Sequence, residues 1–455
     1  MMNQHIVVKK LLISIICLFT LFTCNPNMVP TSKYAEATKS METLLDTSGL
    51  KEIFHGTILI ADRENALLEE AFGTDPSGEK GNQTDTKYDL ASMPKMFTAA
   101  SILQLREVQK LKLDQTIGTF LPDFPNEQAK NMVTIHHLLT HTSGLGDFFG
   151  PEFAEKEASM HGLEDYLPFF ASDPLEFSPG ERMRYSNGGF VVLGLILEKV
   201  TGQKFNDYFS EKIFKPVGMS STGPITSSAG GGKSTARDLH KFAMALQNNQ
   251  VISAASLTLM KTDHFGFGYG YGMSLRDLNG TKVYGHNGGA PGVAGELDMV
   301  ENESLILVTL SNRSPIDGWA QVRTHLRKTF FGSTPAIEEF LNTEQVIKVY
   351  QAEGFEAASK KLAALNNQIS DRNTFRFAEQ YAGDGELEKA IDIIRLIVQA
   401  YPDQWHPYSF LADFQLQAGY KTEAIENYKK SLTIDSNNQH VIEQLKQLGE
   451  VIGQN

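Results

Sequence analysis

Ser92-Met-Pro-Lys95-Met-Phe-Thr-Ala-Ala-Ser-Ile-Leu-Gln-Leu105 couples a reactive pair of side chains to a long apolar run. Met93, Met96, Phe97, Ala99, Ala100, Ile102, Leu103, Leu105 and Val108 suit a largely buried helix. Pro94 fits the first turn of such a helix, where its missing N–H costs nothing. The spacing predicts Ser92 at the positive end of the helix dipole, with Lys95 one turn on and on the same face. A hydroxyl beside a base, with backbone N–H groups close by, is the arrangement nucleophilic acyl transfer needs. Alone, the pair says little. Ser77-Gly-Glu-Lys80 repeats the pattern in a polar, glycine-bearing loop, and a serine opening a helix is often only a cap.

Two further stretches give the pair its meaning. Tyr185-Ser-Asn187 is the one Tyr-x-Asn among 14 tyrosines, placed after the turn-forming Ser178-Pro-Gly180 and before Gly188-Gly189. A loop therefore presents it ahead of the apolar segment 190–200. It reads either as an ordinary turn tyrosine or, beside an ammonium, as a base or proton relay. His286-Asn-Gly-Gly289 ends a predicted β-hairpin in which residues 269–275 and 281–284 flank Asp277-Leu-Asn-Gly280. Asn-Gly is a strong hairpin turn signal. Residues 295–300 and 305–310 continue the pattern as an antiparallel meander. His264-Phe-Gly266 repeats the His-x-Gly spacing without that context.

From residue 50 to about 331 the chain resembles the serine β-lactamase-related family, in its class C β-lactamase, D,D-peptidase and esterase branch. The three motifs carry the resemblance. So do Thr134-Ile-His-His-Leu-Leu-Thr-His-Thr-Ser-Gly144, Phe177-Ser-Pro-Gly-Glu181, Phe214-Lys-Pro-Val-Gly-Met219 and Gly230-Gly-Gly-Lys-Ser-Thr-Ala-Arg-Asp-Leu239. It implies an α/β (α+β) fold: an antiparallel sheet flanked by helices, plus a helical region, with the cleft between them. It implies an acyl-enzyme on Ser92, with Lys95 and Tyr185 sharing the proton transfers. Asn187 would hold Lys95 and the substrate amide. The backbone N–H groups of Ser92 and Gly289, beside Gly288, would form the oxyanion hole. Which of lysine and tyrosine is the base stays open.

Many penicillin-recognising relatives carry Lys-Thr-Gly where this chain has His286-Asn-Gly288. An ordinary imidazole is mostly neutral at pH 7, so efficient β-lactam hydrolysis is not expected. An ester or a small amide or peptide is the expected substrate. The competing reading is a catalytically silent sensor or binding protein that keeps the fold. No metal or cofactor is expected: His136, His137 and His141 lack the glutamate of a His-Glu-x-x-His site. The alternating glycines and aromatics of residues 265–272 read as strand, not as a dinucleotide loop. A net charge of −13 without a basic stripe argues against nucleic acid as a partner.

The ends of the chain carry other expectations. Lys9-Lys10, the apolar residues 11–23 and Cys24 have the shape of a secretory signal. Leu21-Phe-Thr-Cys24 resembles a bacterial lipoprotein cleavage box, which implies a lipid on Cys24 and export to a membrane. Release into the periplasm or medium, and an uncleaved anchor, stay open. Residues 25–40 then form a linker and 41–333 the catalytic domain. Residues 336–455 read as an all-α helical-repeat domain. Ala378, Gly385, Ala390 and Ile394 recur 34 positions on as Ala412, Gly419, Ala424 and Tyr428, with Tyr381 and Pro402 where the tetratricopeptide pattern places an aromatic and a proline. Such repeats bind a protein partner, or the tail docks on the catalytic domain. Cys17 is the other of only 2 cysteines and lies in the signal, so the mature chain must be stable by packing alone.

Overall fold

A computed structural model of the protein describes residues 32–450. Its strands are β1 (Gly56–Asp62), β2 (Asn65–Phe72), β3 (Tyr88–Asp89), β4 (Lys233–Ser234), β5 (Ser274–Leu278), β6 (Thr281–Ala290), β7 (Val293–Val300) and β8 (Leu305–Ser311). Six of them form one sheet in the order β2-β1-β8-β7-β6-β5, with antiparallel neighbours throughout. β3 and β4 make a short separate ladder. This is the α+β fold expected from the motifs.

The predicted meander is present, with one correction. Asn279 and Gly280 take φ of 55° and 81°, the left-handed pair that a two-residue hairpin turn requires, and Leu278 pairs with Thr281 across it. The strand before the turn starts at Ser274, however. Residues 265–272, expected as strand, are a chain of bends carrying a single bridge from Tyr269 to Ser274. Gly266, Gly268 and Gly272 have φ of 77°, 72° and 64°, which ends any extended run. The Asp263 carboxylate accepts the backbone N–H groups of Gly266, Phe267 and Gly268 that a ladder would have used.

Both faces of the sheet are covered, so its central strands alternate between two cores. Towards one face Leu297, Met299, Ile306, Val308 and Leu310 join α2 (Lys95–Glu107), α3 (Asn187–Thr201) and α4 (Ala236–Gln247). Towards the other, Ile58, Ile60, Val300, Leu305 and Leu307 meet Met41 and Leu45 of α1 (Ala35–Thr47) and Trp319, Val322 and Leu326 at α5 (Ala320–Phe331). Within the stretch 25–40 expected as a linker, α1 begins at Ala35 and already buries Thr38. The signal and Cys24 lie outside the described residues.

Beyond α5 the chain is helical: α6 (Pro335–Glu353), α7 (Phe355–Ala364), α8 (Asp371–Gly383), α9 (Leu387–Ala400), α10 (Trp405–Gln417), α11 (Lys421–Ile434) and α12 (Gln439–Gln447). Ala378, Ala390, Ala412 and Ala424 are all fully buried, where only a small side chain lets two helices approach closely. Gly385 and Gly419, 34 positions apart in sequence, turn α8 into α9 and α10 into α11 with φ of 80° and 88°. α6 belongs to both halves: Phe340 packs into the core beneath the sheet, and Val346, Ile347 and Tyr350 into the core of the helical tail. No helix among the described residues is long and apolar enough to cross a membrane.

Candidate active site

The loop before α2 is held from two sides. The Leu90 N–H donates to the Gly232 carbonyl and the Gly231 N–H to that of Ala91, extending the β3–β4 ladder up to the serine. A side chain on Gly230 would meet the Ala91 carbonyl oxygen at 2.3 Å, and one on Gly288 that of Leu90 at 2.2 Å. Thus β6 and the Gly230-Gly-Gly232 segment both lie against Leu90-Ala-Ser92. Ala91 sits at φ 43°, a conformation costly for a side-chain-bearing residue, and it turns Ser92 out of the ladder. Ser92 precedes the helix proper, which starts at Lys95 with Pro94 as its cap. The residue is half-buried, and its N–H has no hydrogen-bond partner among the described residues.

Lys95 lies beneath it, fully buried. Its Nζ donates to Ser92 Oγ at 3.3 Å, to Asn187 Oδ1 at 2.7 Å and to the Ala229 carbonyl. It also stands 4.7 Å from the centre of the Tyr185 ring and 5.5 Å from that of Phe190. Burial outweighs the nearby Asp147 charge and lowers the ammonium to a pKa of about 7.

Tyr185 leads into α3 on a laced loop: the Gly180 N–H donates to Thr142 O and the Arg184 N–H to His141 O. Ser186 then caps the helix by accepting the Gly189 N–H. Tyr185 is 37 % exposed as a residue, yet burial around its hydroxyl is the main cause raising its pKa, and the Ser92 side chain pulls it back only in part. A neutral phenol is therefore the resting form. The His141 ring packs against it, tilted by 33°, with the centroids 4.2 Å apart. Its Nδ1 accepts the Ser186 N–H, and burial holds it uncharged.

His286 is reached from β6 and buried. Tyr269 Oη lies 2.9 Å from its Nε2 and the Asn287 carbonyl 2.5 Å from its Nδ1. Burial and the Lys95 charge lower it to a pKa of about 3, so it brings no positive charge to the cleft. Gly289 lies further along the same strand, exposed.

Ser92, Lys95, Tyr185, Asn187 and the strand bearing His286 and Gly288 therefore lie together, with Gly289 next along that strand. The decoys do not join them. Ser77 sits on an exposed loop bonded to Asp75, and His264 stacks on Tyr271. Of the three histidines set aside as metal ligands, His137 closes a capping box with Thr134 and His136 Nδ1 lies 2.8 Å from Tyr271 Oη. Three members of the site carry no motif: Asp147, Tyr269 and the backbone of Ala229. A cleft of about 540 Å³, lined by Phe120, Phe124, Leu167 and Leu195 among others, shares no residue with this constellation.

Comparison with known proteins places the same region. The family model described as Beta-lactamase matches residues 50–328. Penicillin-binding protein 4* of Bacillus subtilis is 37 % identical over 188 residues, which cover 40 % of this chain and 41 % of that protein. Protein flp of Staphylococcus aureus is 32 % identical over 169 residues, 36 % of this chain and 34 % of that one. The chain thus spans about two fifths or less of the length of these two relatives. A penicillin-binding protein from Bacillus halodurans has a crystal structure that superposes with a TM-score of 0.55 and 29 % identity, over 62 % of this chain and 98 % of the other. The D-amino acid amidase of Ochrobactrum anthropi shares the fold, with a TM-score of 0.55 at 21 % identity over 66 % of this chain and all of the other.

Proposed function

This chain belongs to the beta-lactamase family, and from that premise we propose that it is a serine hydrolase acting through an acyl-enzyme on an ester or a small amide or peptide. One observation carries the reading: a fully buried lysine, lowered to a pKa of about 7, donates to the hydroxyl of a half-buried serine. About half of such a side chain is neutral amine at pH 7, matched to the task of a general base.

In the forward step Ser92 Oγ attacks the substrate carbonyl carbon and its proton passes to Lys95 Nζ. The carbonyl oxygen becomes an oxyanion facing the free Ser92 N–H, with the Gly289 N–H as second donor. The Tyr185 hydroxyl, protonated at rest, gives its proton to the leaving oxygen or nitrogen and is re-protonated by Lys95. The bond to the leaving group breaks, and Ser92 holds the acyl group as an ester. Water then attacks that ester, Lys95 or Tyr185 accepts its proton, and the acid leaves as Ser92 Oγ recovers a hydrogen.

His286 is neutral and tied to Tyr269, so it does not supply the fixed cation that would select a substrate carboxylate. That favours uncharged acyl groups over β-lactams. The name of the B. subtilis relative makes penicillin a rational acylating probe none the less. We further propose that the protein is exported by its N-terminal signal with a lipid on Cys24, and that the helical tail is a tetratricopeptide-like array binding a protein. Loss of palmitate incorporation in Cys24→Ala tests the first. The hydrolase reading is tested by p-nitrophenyl acetate turnover: Ser92→Ala should fall to background, whereas equal rates would favour a silent binding protein.

A further inference from the structure

Asn187 can serve Lys95 only if its amide faces the right way, and the serine, the lysine and the tyrosine do not ensure that. Asp147 does. It lies in the loop after Gly144, half-buried, with no motif around it. Its Oδ2 accepts both the backbone N–H of Asn187 at 3.1 Å and the side-chain Nδ2–H at 2.8 Å, while Oδ1 accepts the Phe148 N–H at 2.8 Å. A carboxylate only accepts. The amide NH2 must therefore turn to Asp147, which leaves Asn187 Oδ1 facing Lys95 Nζ at 2.7 Å. A flipped amide would set oxygen against carboxylate and NH2 against ammonium, losing both contacts. Resting on the serine hydrolase reading, we propose that Asp147 is a positioning residue of this site, which orients Asn187 and supplies a negative charge facing the buried ammonium.

The groups around Lys95 support this. Ser92 lies on its own turn, and Asn187 and Phe190 come from α3. Tyr185 comes from the preceding loop and Ala229 from the segment before β4. His141 and His286 pack against the Tyr185 ring, and both are held neutral chiefly by burial, with the Lys95 charge as a contributing cause. Against the burial that lowers Lys95, the Asp147 charge favours its charged form. Removing that charge lowers the pH at which Lys95 turns into a free amine, so the acidic limb of the rate profile moves down. Losing the orientation as well costs rate at every pH.

The test uses the full chain and two variants. Asp147→Asn keeps a carbonyl for Asn187 and removes the charge; Asp147→Ala removes both. The readouts are the pH dependence of Ser92-dependent p-nitrophenyl acetate hydrolysis, a 13C titration of lysine ε-carbons, and thermal melts. For Asp147→Asn we expect the Lys95 resonance and the acidic limb to titrate about one unit lower, with a two- to fivefold loss of rate on the alkaline plateau. Asp147→Ala should lose at least about tenfold there. Folded variants whose Lys95 titration and plateau both match the wild type overturn the proposal. If the wild type itself shows no Ser92-dependent turnover, the hydrolase reading fails. The lysine titration then decides on Asp147 alone: a downward shift supports its charge role, and an unmoved resonance overturns it.

Discussion

Lys95 Nζ sits 4.7 Å above the ring of Tyr185, on its face. The π face welcomes the ammonium, but burial of the phenol dominates and raises its pKa. Base and acid are thereby separated: the lysine is tuned to give up a proton near neutrality and the tyrosine to keep one.

Tyr185→Phe preserves the ring under the lysine and deletes only the hydroxyl. We expect kcat/KM to fall by roughly 10²- to 10⁴-fold, the ordinary worth of general acid–base catalysis, with an unchanged melting temperature. Steady-state kinetics beside a thermal melt checks this.

A base of pKa about 7 fixes the pH profile. Activity should rise with pH through about 7 as one proton leaves Lys95, falling about tenfold per unit well below it. Stability has its own sign. The folded pKa lies below the ordinary 10.5, so between about 7 and 10.5 the unfolded chain binds more protons and folding stability climbs with pH. Wild-type stability relative to Lys95→Met should therefore improve between those limits, as paired melts at pH 7 and pH 10 would show.

His286 should behave as a neutral imidazole. With its pKa lowered to about 3, its NMR resonances should not titrate between about pH 5 and 8, where an ordinary histidine would. Tyr269→Phe would leave its buried Nε2 without a donor. That should cost about 1–3 kcal/mol of stability and leave the acidic limb near its wild-type position.

Gly288→Ala would drive a methyl into the Leu90 carbonyl oxygen, 2.2 Å from the ideal Cβ position. Both partners are backbone, so β6 or the Leu90-Ala-Ser92 loop must shift. A displacement on the order of 1 Å at a reacting group costs about a hundredfold, which kcat/KM on a phenyl ester would show.

The fold and the pair at its centre were legible because they rest on local signals. The apolar run after Lys95 announces a buried helix, and Asn279-Gly280 announces a hairpin. Residues 265–272 misled because aromatic–glycine alternation imitates strand periodicity. Side-chain capture of backbone N–H groups by Asp263 has no sequence period. Asp147 was hidden for a related reason: one acidic residue in a loop becomes informative only once Asn187, 40 positions on, is known to face it. The Ala229 carbonyl is invisible in principle, since any residue offers the same atom. Tyr269 lay inside the misread stretch and was lost with it.

The most direct measurement is the intact mass and peptide map of the protein after exposure to a fluorophosphonate or to penicillin. A single adduct is expected on the peptide bearing Ser92, abolished in Ser92→Ala and strongly slowed in Lys95→Met. A folded wild-type protein that stays unlabelled where a known relative reacts, or that is labelled on another residue, would contradict it.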